Sequence, residues 1–173
     1  MYGGGGTAEL WTSSRRKRSC LALEVALLPY PTPTSPAVSK RMRNVGRRDS
    51  RAELALRSEL HRRGLRFRVD LPIRLPERVV RPDVVFTRAR LAVFVDGCFW
   101  HCCPEHGNEP KANTSYWQPK LARNVARDHK VDAALAADSW RVLRAWEHEE
   151  PGSVADRIAS AYAARLGSTT VRF

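Results

Sequence analysis

Apolar positions along the chain fall into a helix, strands, helix, strand, helix order. The first clear helical signal begins at Asp49 or Ser50. Ser50-x-x-Glu53 has capping-box spacing, Leu56 and Leu60 stand four apart, and Gly64 supplies a stop. Three strand-like stretches follow. Residues 66–71 alternate loosely, 79–86 are rich in Val, and 90–96 (RLAVFVD) form a nearly continuous apolar run. Pro82 interrupts the second stretch and predicts a strand edge or a bulge there. Thr87-Arg88-Ala89 is short enough to join the last two as a hairpin. Beyond a turn-rich loop at 97–113, a helix is expected from about 116 to 137, with Leu121, Val125, Val131 and Leu135 on its apolar side. Residues 140–146 (WRVLRAW) read as a final strand, and 153–166 as a helix that Gly167 would end. That order predicts an α/β or α+β sandwich. Residues 1–35, with the run Gly3–Gly6 and Pro29, Pro31 and Pro33, read as a disordered Gly/Pro-rich leader ahead of a folded domain over 36–173.

Composition narrows the partners. A chain of 173 residues is one domain of ordinary size. It carries 30 Lys and Arg against 18 Asp and Glu, a net charge of +12. Only six of the basic residues lie in 1–41, so the positive charge belongs to the folded part as well. A polyanion is the favoured partner, and nucleic acid is the commonest one; a merely basic soluble protein is the alternative. No apolar run is long enough to cross a bilayer. The stretch Cys20–Leu28 follows four basic residues but is broken by Glu24 and runs into prolines, so it reads as non-secretory. Three of the four cysteines lie within six residues beside histidines, which suggests metal in a reducing compartment more than a disulfide framework.

The densest chemistry lies in FVDGCFWHCCPEHG, Phe94 to Gly107. Thiolate and imidazole suit zinc, and four of them close a tetrahedral site. Cys98, Cys103 and His106 have ligand spacing, with His148 available as the fourth; spacing alone leaves Cys102 and Cys103 undecided. Small buried cysteines beside surface histidines are the plainer alternative. Asp83 and Asp96 stand on adjacent strand stretches, where two acids could hold Mg²⁺ against a phosphate if the register brings them to one face. Otherwise each caps a turn or pairs with an arginine. His101 could serve as general base, as acid, or as a zinc ligand. Glu53 reads first as the capping residue. Phe99-Trp100 and Tyr116-Trp117 could stack on bases, though core packing is the default. Lys120, Arg123, Arg127 and Lys130 offer a phosphate-contacting helix face or simply a solvated one.

The span from about Ser39 to Glu149 resembles the very-short-patch repair endonucleases, bacterial enzymes that nick DNA beside a T:G mismatch. The resemblance is carried by SKRMRNVGRRDSRAELALR, LPERVVRPDVVF, VFVDGCFWHCCPEHG, YWQPKLARNVARD and WRVLRAWEH, in the family's order. It implies a restriction-endonuclease-like three-layer α/β fold, with a central mixed sheet flanked by helices and a structural zinc site. Asp83 then matches a metal-binding aspartate, and the carbonyl of Val95 a further Mg²⁺ ligand. His101 matches a catalytic histidine, and Glu53 an acid that assists. Asp96 stands where some members carry histidine, which leaves it open between metal ligand and base partner. Cys98, Cys103, His106 and His148 match the zinc ligands, with His148 where some members have cysteine. Phe99, Trp100 and Trp117 match aromatics that wedge into the duplex, Met42 a residue inserted from the other groove, and Lys120 and Asn124 residues near the mismatched pair. The implied enzyme is a cytoplasmic, nucleoid-associated monomer using Mg²⁺ and Zn²⁺. Its expected partner is double-stranded DNA with a T:G mismatch, and other mismatch-repair proteins are candidate further partners. Two readings compete: a restriction-like or structure-selective nuclease without mismatch preference, and a non-catalytic zinc-stabilised DNA-binding module.

Overall fold

A computed structural model describes residues 49–107 and 109–167. The leader, Met42 and the first residues of the expected domain therefore lie outside the described residues. Helix α1 (Arg51–Arg62) begins where the capping signal puts it: Ser50 Oγ accepts from the Glu53 N–H at 3.2 Å. The Glu53 carboxylate returns one residue further than in the usual box, accepting from the Asp49 N–H at 3.0 Å. Gly64 follows with φ +74°, the left-handed conformation that ends the helix cheaply only at a residue without Cβ.

The Val-rich stretch 79–86 is two strands in two sheets, not one. Pro82 is fully buried and has no N–H to give a ladder, so pairing stops on either side of it. Before it, β1 (Ile73–Leu75) and β2 (Arg78–Val80) form an antiparallel pair. β1 escaped the sequence reading because it is three residues long and lies between Pro72 and Pro76. After it, β3 (Val84–Phe86) pairs antiparallel with β4 (Leu91–Asp96), as the hairpin expectation required. Residues 66–71 are not a strand; they contribute a single bridge, Arg68 to Val85. β5 (Arg141–Trp146) lies parallel to β4 on its other side, and helix α2 (Thr114–Ala137) makes the crossover between them. Helix α3 (Pro151–Gly167) follows.

β4 is apolar almost throughout because both of its faces are covered. On one face Leu91 and Val93 join Val84 and Phe86 against Leu56 and Leu60 of α1 and Val154 and Ile158 of α3. On the other, Ala92 and Val85 meet Leu135 of α2 and the hairpin residues Ile73, Leu75 and Val80, with Phe94 and Val142 packed alongside. The result is a mixed α/β arrangement with helices on both faces of the three-stranded sheet. Phe86 is among the largest fully buried side chains, and its ring meets Tyr162 at 5.1 Å and Phe67 at 5.9 Å. Phe86→Ala should lower unfolding free energy by about 3–5 kcal/mol in chemical denaturation. A loss under about 1 kcal/mol would mean that the site is not core.

Candidate active site

The C-terminal end of β4 is where acidic side chains collect. Asp83, just before β3, turns its Oδ2 onto the Val95 N–H at 2.7 Å. This bond fixes it beside the end of β4, so Asp83 and Asp96 do lie at one end of the sheet. Burial is the main cause that pushes the Asp83 carboxyl up to about 6. The Val95 N–H opposes the shift, the nearby Glu53 carboxylate adds to it, Arg57 opposes it, and Asp96 adds a smaller push. Hard oxygen donors held in this buried place, with Glu53 and Asp96 nearby, suit a divalent cation. Glu53, 8 % exposed, accepts from both the Asp49 N–H and Arg57 on its Oε2. It is thus a capping residue and a neighbour of Asp83 at once.

Asp96 belongs to a different set. It is 5 % exposed, and Arg144 Nη1 donates to both of its oxygens at 2.8 and 2.9 Å. Arg144 also donates to Asp132 from Nε and Nη2, approaches Asp128 at 3.8 Å, and lies 4.6 Å over the Phe94 ring. Burial works against its charge, but the bonds to Asp132 and Asp96 outweigh it and hold the guanidinium above its ordinary pKa. His101 Nδ1 lies 2.5 Å from Asp128 Oδ2 and 3.6 Å from Asp96 Oδ1. A carboxylate can only accept, so Nδ1 carries the proton and Nε2 is the basic nitrogen.

Cys98, Cys103, His106 and His148 form a separate cluster whose ligand atoms all lie within 4.8 Å of one another. His148 Nδ1 is 3.1 Å from Cys98 Sγ and 3.7 Å from Cys103 Sγ, and the two imidazoles meet at 4.1 Å. Soft sulfur and borderline nitrogen in a closed group of four are a donor set that fits zinc. Of the two adjacent cysteines, Cys103 is buried in the cluster, whereas Cys102 lies outside it with φ +54°. His101 is likewise outside. Burial, then Cys103, pushes the Cys98 thiol up to about 11, so a metal entering here displaces protons.

Phe99, Trp100 and Trp117 form a mutual edge-on cluster with centroids 5.1 to 5.8 Å apart, and Tyr116 adds to it at 5.2 Å from Trp117. Lys120 Nζ lies 5.0 Å from the Trp117 ring centre and 5.7 Å from that of Trp100, and Asn124 donates to the Trp100 carbonyl at 3.2 Å. All five predicted DNA-facing residues among the described ones are therefore together and half-buried, and Trp100 directly precedes His101 in the chain.

Sequence reasoning missed Asp128, Asp132, Arg144 and Glu147. The first two were visible as a polar row, Asn124, Asp128, Asp132, at helical spacing of four on α2. Arg144 was visible as a charge in the middle of an otherwise apolar stretch, with Arg141 at the strand's start. Glu147 gave no signal; its Oε1 accepts from the Cys98 N–H at 2.6 Å and ties the Cys/His loop to the chain after β5.

Acids beside a helix-held histidine, next to clustered aromatics in a basic chain, are the equipment of a nuclease. The family profile described as DNA mismatch endonuclease Vsr matches residues 34–105. A Type II nicking enzyme, V.NaeI of Lentzea aerocolonigenes, is 51% identical over 122 residues, covering 70% of this chain and 74% of the relative. V.XorIIP of Xanthomonas oryzae pv. oryzae, also a Type II nicking enzyme, is 45% identical over 62% of this chain and 77% of its own. The DNA mismatch endonuclease Vsr of Escherichia coli strain K12 is 39% identical over 63% of this chain and 68% of its own. The chain belongs to the Vsr family of DNA endonucleases. Among the described residues, no helix is long and apolar enough to cross a membrane.

Folding raises the Asp83 carboxyl from 3.8 to about 6, so the folded, metal-free protein binds this proton more tightly than the unfolded chain does. Its stabilisation is fully present below the unfolded value and is lost as pH rises through the folded one. The melting temperature of the metal-free protein should therefore fall between about pH 4 and pH 6, and Asp83→Asn should flatten that slope. An identical slope in the variant would assign the effect elsewhere.

Proposed function

We propose that the protein nicks one strand of double-stranded DNA beside a T:G mismatch, using Mg²⁺ at Asp83 and the Val95 carbonyl, with structural Zn²⁺ at the Cys98, Cys103, His106 and His148 cluster. The observation that supports this most is the adjacency of Phe99-Trp100 to a His101 already locked onto Asp128 at 2.5 Å. A wedge and a proton-transfer group then sit on one short loop. The three-layer arrangement around the mixed sheet agrees with a restriction-endonuclease-like fold.

In this reading Phe99, Trp100 and Trp117 enter the duplex where pairing is weakest, because unstacking a mismatch costs less than unstacking a matched step. Lys120 and Asn124 stand beside the opened pair, and Met42 approaches from the opposite groove. The scissile phosphate lies across Asp83. When bound there, Mg²⁺ supplies the positive charge that stabilises the phosphate as negative charge develops. His101 Nε2 takes a proton from the attacking water or gives one to the departing oxygen, while Asp128 keeps the ring in the required tautomer. Glu53 orders water beside Asp83. Asp96 stands behind His101 as a partner of the base. A single asymmetric cut needs one active site, in keeping with a monomer working in the cytoplasm on nucleoid DNA, alongside other mismatch-repair proteins.

A second reading is a nicking endonuclease without mismatch preference, since the relatives V.NaeI and V.XorIIP are named as Type II nicking enzymes. End-labelled duplexes that differ only by T:G in place of C:G separate the two. A chelator-sensitive cut on the T strand of the mismatched duplex alone is expected, and equal cutting of both would select the second reading. Asp83→Ala should abolish cutting while leaving the melting temperature within a few degrees; near wild-type cutting would sink the metal assignment. Cys98→Ala should lose one equivalent of zinc by elemental analysis and lower the melting temperature, and retention of both would overturn the zinc assignment.

A further inference from the structure

Arg144 is a charge set beside the apolar Phe94 on the face of the sheet that also carries the buried Asp96. In the parallel register it lies opposite Phe94, one step from Trp146 opposite Asp96 and one step from Val142 opposite Ala92. A well-packed apolar residue there would commonly be as stabilising as a buried ion pair or more so. The guanidinium nonetheless reaches all three acids of its neighbourhood: both oxygens of Asp96, both oxygens of Asp132, and Asp128 at 3.8 Å. Two of those acids are the ones that flank His101 Nδ1. Asp96 comes from β4, Arg144 from β5 paired beside it, and Asp128 and Asp132 from α2.

We propose that Arg144 is a positioning residue for His101, and that its hold on Asp96 makes that acid a wall of the histidine pocket rather than a ligand of the catalytic cation. Three carboxylates gathered in one place, two of them on His101 Nδ1, repel one another and would splay α2 from the end of β4. One fixed cation bridging them sets the distance between helix and strand, and hence where the ring stands. Planar geometry and several donors in a fork are what such bridging needs, which selects arginine over a point charge. Asp96 has both oxygens committed, so a cation would have to displace the guanidinium to bind it. Among the described residues, Asp83 accepts from a backbone N–H and from no guanidinium.

The inference rests on the reading of His101 as the proton-transfer group, and its test includes a measurement that needs no catalysis. In the full chain, Arg144→Met keeps the length of the side chain over Phe94 and removes the donors, and Arg144→Lys restores the charge. Proton NMR of the His101 Nδ1–H reports its bond to Asp128. The resonance should be lost or broadened in Arg144→Met and recovered in part in Arg144→Lys. On the T:G duplex, kcat should fall by about tenfold to a hundredfold in Arg144→Met, with KM and the half-saturating Mg²⁺ concentration within about twofold of wild type. Asp96→Asn should likewise leave half-saturating Mg²⁺ in place. An unchanged His101 resonance in a folded Arg144→Met would overturn the positioning role, and a Mg²⁺ requirement raised by Asp96→Asn alone would make Asp96 a ligand after all. Should the wild-type chain nick no mismatched duplex, loss of the resonance in Arg144→Met still upholds the brace while the proposed function falls. If Arg144→Met does not fold, Asp132→Asn, which removes only the outer anchor of the guanidinium, is read by the same resonance with the same two outcomes.

Discussion

Everything functional in this molecule depends on β4 being covered on both faces. A strand buried on one side leaves its last side chains free to choose a rotamer in solvent. Here Leu91 and Val93 are clamped by α1 and α3, and Ala92 and Phe94 by α2 and the β1–β2 hairpin. The backbone that leaves β4 at Asp96 and turns through Gly97 into the Cys/His loop is therefore delivered at a fixed place and angle. Asp83 reads the position of that strand directly, through the Val95 N–H.

Two sets of carboxylates result, and their electrostatics differ in kind. Among the described residues, Arg57 is the cation beside Asp83 and Glu53, and it is itself occupied with Asp49. Asp96, Asp128 and Asp132 surround Arg144 and are neutralised from within. On the proposed reading the first set takes an external cation, whereas the second is built around Arg144. Five acids within one small region can thus perform two tasks without competing for the same ion, because an arginine separates them chemically where distance does not.

The sequence announced these features unevenly. β4 was legible because a double-sided burial writes itself as an unbroken apolar run, and α1 because its cap and its left-handed stop are local. Cys98, Cys103 and His106 were legible for the same reason, since their spacing lies within one loop. The partition of 79–86 was not, because the choice of two sheets over one follows from where β1 packs, and β1 is too short to show periodicity. Asp128 and Asp132 were hidden by sitting on a helix rich in charge, where a solvated face and a buried polar row look alike. Only the partner across the gap distinguishes them, and Arg144 is sixteen residues further on than Asp128.

The Cys/His cluster has a mechanical side. Three of its donors lie in the loop that carries Phe99 and Trp100, and the fourth, His148, lies just beyond the strand paired with β4. Glu147 adds a bond from the same place to the Cys98 N–H. The aromatic residues thus stand inside a closed ring of chain whose two ends are pinned to the sheet. A wedge delivers force only as far as its mounting resists recoil, and separating stacked bases costs a few kcal/mol per step. A loop held by its own backbone would yield before the bases did. On the proposed wedge role, pinning of this kind would make Phe99, Trp100 and the sheet behind them move as one body, so that the strain would fall on the nucleic acid.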